Sequence, residues 1–361
     1  IHFLSVNVII LVLLAVAFLI IIQRNLLNFS DFLQKENPGV ILPFESELSP
    51  NLRLESVGKG EEIPIVITAA EERLGAVVAA MNSIYQNSKA NVVFTIVTLN
   101  DTVGHLKVWL SKTKLKHVKY KIVIFQTKLL NGKQSKDPQA MEAAKPLTFA
   151  RFYLPAYMPE AEKRITMDIN LMNTLYETNL KPGHAAAFSD DCDSASAKGI
   201  IRGAGKQINY IGFLDFKKEA IKKMGMRAST CSFNPGVIIA NLTEWKNQNI
   251  TQQLEHWMER NTQEDLYSKT LAESIVTPPL LIVFYKRHST IDPMWHIRHL
   301  GAGNRYSPQF VKVAKLLHWN GHYKPWGRTS SFSDVWDKWF IPDPTGKFHP
   351  VRKHAGDRQL D

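Results

Sequence analysis

The amino-acid sequence predicts an α/β protein whose central sheet is parallel and covered by helices. Short apolar runs typical of buried strands occupy residues 63–68, 91–97 and 118–125. Two segments with apolar residues at helical spacing, 74–85 and 103–110, separate these runs. Strands that alternate with helices favour a parallel sheet, because each helix returns the chain to the edge at which the previous strand began.

The carboxyl ends of parallel strands are the expected ligand-binding edge of such a sheet. Residues that follow Thr68 and Leu99 lie at this edge and are candidate nucleotide contacts. The sequence has no Gly-x-Gly-x-x-Gly after the first strand and no Gly-x-x-x-x-Gly-Lys-Ser/Thr. This disfavours a dinucleotide-binding domain of the usual kind and a P-loop NTPase.

The N-terminal region predicts a membrane anchor. Residues 3–22 are apolar except for Ser5 and Asn7, which is long enough to cross a bilayer as a helix. No small-x-small cleavage site follows, so an uncleaved signal anchor is favoured over a cleaved signal peptide. The composition then predicts four segments: a signal anchor at 1–23, a stem at 24–60, a globular domain at 61–348 and a polar tail at 349–361.

Two further features bear on the compartment. Asn-x-Ser/Thr sequons, which give weak support for the secretory pathway, occur at Asn28, Asn100, Asn241 and Asn249. The two cysteines, Cys192 and Cys231, could pair in an oxidising lumen, although their geometry does not follow from the sequence. Two isolated cysteines disfavour a zinc site.

The chain is basic, with a formal net charge of +11 over 361 residues. This length suits one large or two ordinary domains. Nine lysines lie between Lys107 and Lys136, interleaved with apolar residues such as Trp109 and Leu115. That pattern is typical of the solvated faces of a helix and a strand. No base-stacking patch or known module accompanies it, which disfavours nucleic-acid binding, while a basic surface could still attract anionic membranes or acidic sugars.

The most informative stretch lies near the C-terminus, at residues 318–326. It places His318, Gly321 and Lys324 at intervals of three residues. Imidazole binds divalent ions, glycine lets the backbone approach a phosphate closely, and lysine supplies a compact positive charge. These are the components of a site for a metal-bound diphosphate.

Together with the following Pro325 and Trp326, this stretch resembles the C-terminal signature of the family 8 glycosyltransferases. Further segments similar to that family lie at 62–67, 73–75, 146–155, 184–191 and 233–242. The resemblance implies a GT-A fold, a single nucleotide-binding α/β domain with a mixed, mainly parallel central sheet. It also implies transfer of a sugar from a UDP-sugar to a sugar or glycan acceptor, with retention of configuration and usually with Mn²⁺. With the predicted anchor, it implies a type II protein of the Golgi or another secretory-pathway membrane, with a lumenal domain.

The resemblance assigns roles to residues at matching positions. The implied metal ligands are Asp168, Asn170 and His318. The implied contacts to the nucleotide sugar are Arg151, Asn234, Gly236, Gly321 and Lys324. The candidate catalytic residues near the donor sugar are Asp190, Asp191 and Asn234. Oxygen ligands at i and i+2 of an extended segment share a face and can hold one hard ion, which stabilises charge on the leaving UDP.

The metal motif departs from the family pattern. Asp168 stands at the first position of the family Asp-x-Asp, but the neutral Asn170 stands at the second, and the segment from there to Leu180 is shorter than in relatives. Two hypotheses remain open: a membrane-anchored transferase, and a catalytically impaired relative that acts as a lumenal binding protein. A secretory hydrolase is disfavoured because Gly-x-Ser-x-Gly and His-Glu-x-x-His are absent from the sequence.

Overall fold

The computed structural model describes most of the predicted globular domain. The described residues are 46–48, 62–88, 90–134, 145–158, 164–167, 175–192, 209–267, 275–300, 306–321 and 323–352. All of them belong to the second of the two units into which the chain divides, Phe44–Asp361. The predicted anchor at 1–23, most of the predicted stem and the end of the predicted tail lie outside the described residues. Among the described helices, none has the length and apolar composition needed to span a bilayer.

The sheet is built from eight strands in the described part of the chain. They are β1 (Ser46–Leu48), β2 (Glu62–Ala69), β3 (Asn91–Thr98), β4 (Lys119–Ile124), β5 (Arg164–Met167), β6 (Ala186–Asp190), β7 (Phe233–Asn241) and β8 (Ser289–Thr290). Their order in the sheet is β1-β4-β3-β2-β5-β7-β6-β8. Only β1 and β7 run antiparallel to their neighbours. The sheet is therefore mixed and mainly parallel, as predicted, and β1 comes from the range predicted as a stem.

Nine α-helices are described, together with several short 3-10 helices. The α-helices are α1 (Leu74–Asn87), α2 (Asn100–Ser111), α3 (Leu154–Tyr157), α4 (Glu219–Lys223), α5 (Leu242–Asn247), α6 (Ile250–Glu264), α7 (Thr277–Val283), α8 (Pro308–Val313) and α9 (Ser333–Asp337). Helices α1 and α2 match the two predicted from apolar spacing. The segment around Arg151 forms a 3-10 helix, Pro146–Tyr153, which leads into α3.

Two hydrophobic clusters bury the sheet on both faces. Along β2, Ile63, Ile65 and Ile67 pack into one cluster with α1 and α2, and Val66 packs into the other with residues of Pro146–Tyr153. Successive residues of a strand point to opposite faces, so a strand covered on both sides is apolar throughout. This double burial explains why the apolar run of β2 is nearly continuous.

The C-terminal segment 339–348 packs across α1 and α2. Trp109 of α2 donates from Nε1 to a backbone carbonyl of this segment at 3.1 Å. His105 lies between two carboxylates, with Nδ1 2.6 Å from Glu71 Oε1 and Nε2 2.8 Å from Asp343 Oδ2. These contacts fix the end of the domain to the helices that follow β2 and β3.

Asp343 is strongly stabilised as a carboxylate in this segment. Burial opposes its ionisation, but hydrogen bonds from the backbone N–H groups of Thr345 and Phe348, together with the contact to His105, outweigh burial and lower the pKa of Asp343 to about 2. The aromatic ring of Phe348 covers Gly75, where an added Cβ would lie 2.2 Å from its nearest ring carbon. The absence of a side chain at position 75 therefore lets the segment approach α1.

A cleft with a volume of about 390 Å³ opens at the carboxyl ends of β3 and β4. Its lining residues are Leu99, Asn100 and the run from Ile124 to Lys128. The residues directly after Leu99, predicted as candidate nucleotide contacts, thus lie at the edge of the sheet where ligands of parallel sheets bind.

Candidate functional site

Two short extended segments meet near the end of the domain. Ile297 forms a parallel bridge with Leu317, and the backbone N–H of His318 donates to the carbonyl of Ile297 at 2.7 Å. This register places His296 beside His318, with Nε2 of His296 2.8 Å from Nδ1 of His318. The two rings are nearly parallel, at 14° and with centroids 5.0 Å apart.

Both imidazoles of this pair are neutral at physiological pH. His296 is fully buried, and burial lowers its pKa far below the ordinary value. Burial, assisted by the nearby cations Lys324 and Arg298, lowers the pKa of His318 to about 3. A neutral imidazole has one N–H and one lone pair, so each ring can donate at one nitrogen and accept, or bind a metal, at the other.

Gly236 of β7 lies directly against the ring of His318. A Cβ added at Gly236 would lie 2.5 Å from Cε1 of His318 and 2.8 Å from Oδ1 of Asn234. The same Asn234 oxygen accepts a hydrogen bond from the backbone N–H of Gly236 at 2.8 Å. The structure therefore brings together three of the residues that the sequence predicted, and glycine is required at position 236 because His318 occupies the space of a side chain.

Positive charge surrounds the His318 ring. Arg151 donates from Nη1 to the carbonyl of Pro235 at 2.6 Å, and Lys324 donates from Nζ to the carbonyl of Trp319 at 3.0 Å. Both cations, together with Arg298, lie near enough to His318 to lower its pKa. A neutral ring among cations is an environment that favours a bound anion.

The remaining residues of the C-terminal motif shape the loop. Asn320 accepts a hydrogen bond from the backbone N–H of His299 through Oδ1 at 2.6 Å. Pro325 is buried, and Trp326 packs against Trp336 with ring centroids 6.0 Å apart. Gly321 lies in the same loop, between His318 and Lys324. The motif thus combines a rigid, packed end with the residues predicted to contact a diphosphate.

Asp190 lies on β6, and its carboxylate contacts one residue of β8 and one just before it. Its Oδ1 is 3.2 Å from Nε2 of His288, and Oδ2 accepts from the hydroxyl of Thr290 at 3.3 Å. Asp190 is paired in the sheet with Phe233, the residue before Asn234. Directly opposed residues share a face of the sheet and neighbours alternate, so Asp190 and Asn234 point to opposite faces.

Asp191 is held in a buried ion pair. Arg298, which is 1% exposed, donates to Oδ1 of Asp191, and the hydroxyl of Ser232 donates to Oδ2. Burial raises the pKa of Asp191, although the Arg298 guanidinium opposes this. No described hydrogen bond or ion pair joins Asp190 or Asp191 to Asn234, Gly236 or His318, and their catalytic role stays a prediction.

A disulfide between Cys192 and Cys231 closes the chain beside Asp191. The two Cα atoms are 5.9 Å apart, within the usual range for a disulfide. The backbone N–H of Asp191 also donates to the carbonyl of Ser232 at 2.8 Å. The pairing that the sequence left open is therefore present, and it ties the end of β6 to the start of β7.

The predicted metal ligands Asp168 and Asn170 lie outside the described residues, and within the described ranges no three His, Cys, Asp or Glu side chains form a cluster. Among the described residues, His318 can supply one ligand atom to a metal. Nδ1 of His318 is occupied by His296, and Nε2 makes no hydrogen bond to any described residue, which leaves it for an ion. Met167, the residue before Asp168, pairs with Ile238, two residues from Gly236.

Sequence reasoning missed His296 and Arg298. His296 faces the predicted metal ligand from a segment 22 residues away in the chain, and Arg298 neutralises Asp191. A weak signal was present, because two polar residues alternate with the apolar Trp295 and Ile297, as in a short strand. Nothing in that pattern indicates which segment lies opposite.

The fold is that of the GT-A-like glycosyltransferases. The galactosyltransferase LgtC, solved with donor and acceptor sugar analogs, has a TM-score of 0.54 to this structure at 15% identity, covering 78% of this chain and 98% of LgtC. A family model, Glycosyl transferase family 8, matches residues 64–330. The chain belongs to this family, and sugar transfer is the general activity that membership supports.

Full-length relatives agree with this assignment. A protein of Danio rerio called Glycosyltransferase 8 domain-containing protein 1 is 67% identical over 365 residues, covering 98% of this chain and 99% of the relative. The Homo sapiens protein of the same name is 60% identical over 363 residues, covering 98% of each chain. The similarity thus extends beyond the family domain to nearly the whole length.

Proposed function

We propose that this protein transfers a sugar from a UDP-sugar to a sugar or glycan acceptor, with retention of anomeric configuration and with a divalent metal, Mn²⁺ in preference. The observation that carries the proposal is the neutral His318 ring, which lies on Gly236 among Arg151, Lys324 and Arg298. A metal-bound diphosphate needs a nitrogen ligand, cations for its oxygens and backbone that it can approach closely.

The residues of this site divide into two roles. Arg151 and Lys324 bind the diphosphate oxygens, while Asn234 and Gly236 lie where the donor sugar is held. Asp168, Asn170 and His318 hold the ion, which supplies Lewis-acid stabilisation of the leaving diphosphate when bound. Gly321 lets the loop between the histidine and the lysine approach the phosphates.

The reaction in this proposal is a front-face substitution. The bond between the anomeric carbon and the diphosphate oxygen breaks, with its electron pair going to the diphosphate. The acceptor hydroxyl oxygen forms its bond to the same face, and its proton passes to a leaving phosphate oxygen. No protein nucleophile is required, so Arg151 and Lys324 act by stabilising the charge that develops, and the site as a whole acts by positioning donor and acceptor.

We further propose a single-pass type II membrane protein of the Golgi or another secretory-pathway membrane, with this domain in the lumen. The apolar stretch at 3–22 supports an anchor. The Cys192–Cys231 disulfide supports an oxidising compartment.

A catalytically impaired relative that acts as a lumenal binding protein is the second candidate. The neutral Asn170 in the metal motif favours it. So do Asp190 and Asp191, whose carboxylates are already held by protein partners. In this alternative the site keeps nucleotide binding without turnover.

Calorimetric titration of UDP into the purified full chain, with and without Mn²⁺, tests the site. We expect Mn²⁺-dependent binding that is lost in His318→Ala and kept in His117→Ala, a matched control because His117 is exposed on a surface helix. Equal binding by His318→Ala would refute the assignment of the metal ligand. Release of UDP from UDP-sugars, measured with an acceptor present, then separates a transferase from a binding protein.

A further inference from the structure

The nitrogen of His296 that faces away from His318 is a buried polar atom without a partner. His296 is 0% exposed, and its Nδ1 has no hydrogen-bond partner among the described residues. Buried polar groups are nearly always hydrogen-bonded, so an exception calls for a reason. The other nitrogen, Nε2, lies 2.8 Å from Nδ1 of His318.

Two arrangements of the protons satisfy this contact. In the first, His318 donates from Nδ1 to Nε2 of His296, and the proton of His296 sits on Nδ1. In the second, His296 donates from Nε2, and the proton of His318 sits on its own Nε2. Each leaves Nδ1 of His296 unpaired, but only the first presents a lone pair at Nε2 of His318, the atom that makes no hydrogen bond to described residues.

We propose that His296 is a positioning residue that fixes the tautomer and the ring orientation of His318 for metal binding. The proposal rests on the function proposed above. As an acceptor for the Nδ1 proton, His296 keeps the Nε2 lone pair of His318 directed at the ion, the arrangement that ligating histidines commonly obtain from a partner. The unpaired Nδ1 of His296 is then the cost of that acceptor.

The surroundings of the pair maintain this arrangement. The ring of His318 is fixed on its other side by Gly236, whose Cα it contacts closely enough to exclude a Cβ. Because Gly236 keeps the His318 ring from rotating away, an acceptor at position 296 decides which of the two tautomers His318 adopts.

The test compares His296→Leu, which removes the acceptor, with His296→Asn, whose amide oxygen can replace it. In calorimetric titrations of UDP and Mn²⁺ into the full chain, we expect His296→Leu to bind about 10- to 100-fold more weakly, the usual effect of losing an outer partner of a ligand. His296→Asn is expected to restore most of this loss. The melting temperature without metal should not fall in His296→Leu, because the variant also removes a buried unpaired nitrogen.

Two outcomes separate the failure of this inference from the failure of the proposed function. If the parent binds UDP with Mn²⁺ and His296→Leu binds equally well, the positioning role is wrong and the site assignment stands. If the parent does not bind, both are wrong. A measurement on the parent protein avoids the risk that a variant misfolds. In ¹⁵N-histidine spectra with UDP and diamagnetic Mg²⁺, we expect His296 to carry its proton on Nδ1. A proton on Nε2 of His296 would overturn the proposal.

Discussion

Gly236→Ala offers a sharp test of the geometry at the end of β7. The substitution adds one methyl group at a position where Cβ would lie 2.5 Å from Cε1 and 3.0 Å from Nδ1 of His318. Carbon atoms in contact are normally at least about 3.5 Å apart, so the ring has to move by about 1 Å. The backbone N–H of His318 donates to the carbonyl of Ile297 at 2.7 Å, and Nδ1 of its ring lies 2.8 Å from Nε2 of His296, so both the residue and its ring are held in place.

The expected magnitude follows from this constraint. Overpacking of a site that cannot relax costs about 1–3 kcal/mol of folding free energy. A displacement of about 1 Å at a ligand or reacting group can lower activity about 100-fold. We therefore expect Gly236→Ala to weaken Mn²⁺-dependent UDP binding about 100-fold and to lower the free energy of unfolding by about 1–3 kcal/mol.

The assay combines UDP calorimetry with chemical denaturation. Gly104→Ala on α2 is the matched control, because an added Cβ there meets no heavy atom within 4 Å, and we expect it to be neutral or stabilising by about 0.5–1 kcal/mol. Combining Gly236→Ala with His318→Ala should recover the part of the lost stability that comes from the ring, while the contact of 2.8 Å between the added Cβ and Oδ1 of Asn234 remains. Parent-like binding and stability of Gly236→Ala alone would show that His318 does not pack on Gly236.

Three further predictions concern stability. Cys231→Ser should lower the free energy of unfolding by about 2–4 kcal/mol, because the disulfide closes a 39-residue separation; reductant should destabilise the parent but not the variant in urea denaturation. The pKa of Asp343, lowered to about 2, gives stability that is present above about pH 4 and lost as pH falls toward 2; acid titration of Asp343→Asn should lack this loss, whereas the exposed Asp334→Asn should retain it. Arg298→Met should cost about 3–5 kcal/mol because Asp191 is left buried and charged; thermal unfolding of the double variant with Asp191→Leu should recover most of it.

The sheet was predictable because its central strands are buried on both faces. Because both faces of β2 and β3 are covered, their sequences are nearly continuous apolar runs, which a loop does not show. The helices α1 and α2 that follow them have apolar residues at clear helical spacing. By contrast, the 3-10 geometry of Pro146–Tyr153 has no separate signature, since its aromatic residues also fit an α-helix.

The site was predictable only as a set of residues. The resemblance selected His318 and Gly236 without the reason for their proximity, which is a ring occupying the space of a missing Cβ. His296 could not be found, because its contact depends on a single parallel bridge between distant segments. The partners of Asp190 and Asp191 were equally hidden, since an acidic pair after a strand fits a solvated loop as well as an ion pair.

The charge balance of the proposed metal site leads to a last prediction about the order of binding. Arg151 and Lys324 lie near His318, whereas Arg298 is already paired with Asp191. Of the proposed oxygen ligands only Asp168 is charged, since Asn170 is neutral. A divalent ion alone would then meet net positive surroundings, whereas UDP brings the negative charge that both the ion and the cations need.

We therefore expect calorimetry to detect little binding of Mn²⁺ alone and clear binding of Mn²⁺ in the presence of UDP. Restoring the charge with Asn170→Asp should strengthen the binding of Mn²⁺ alone more than it strengthens the joint binding. Asn131→Asp, a change of equal charge at an exposed position after the 3-10 helix Thr127–Leu130, is the control. Tight binding of Mn²⁺ to the parent without UDP would contradict this reasoning, because the ion would then be held by ligands other than Asp168, Asn170 and His318.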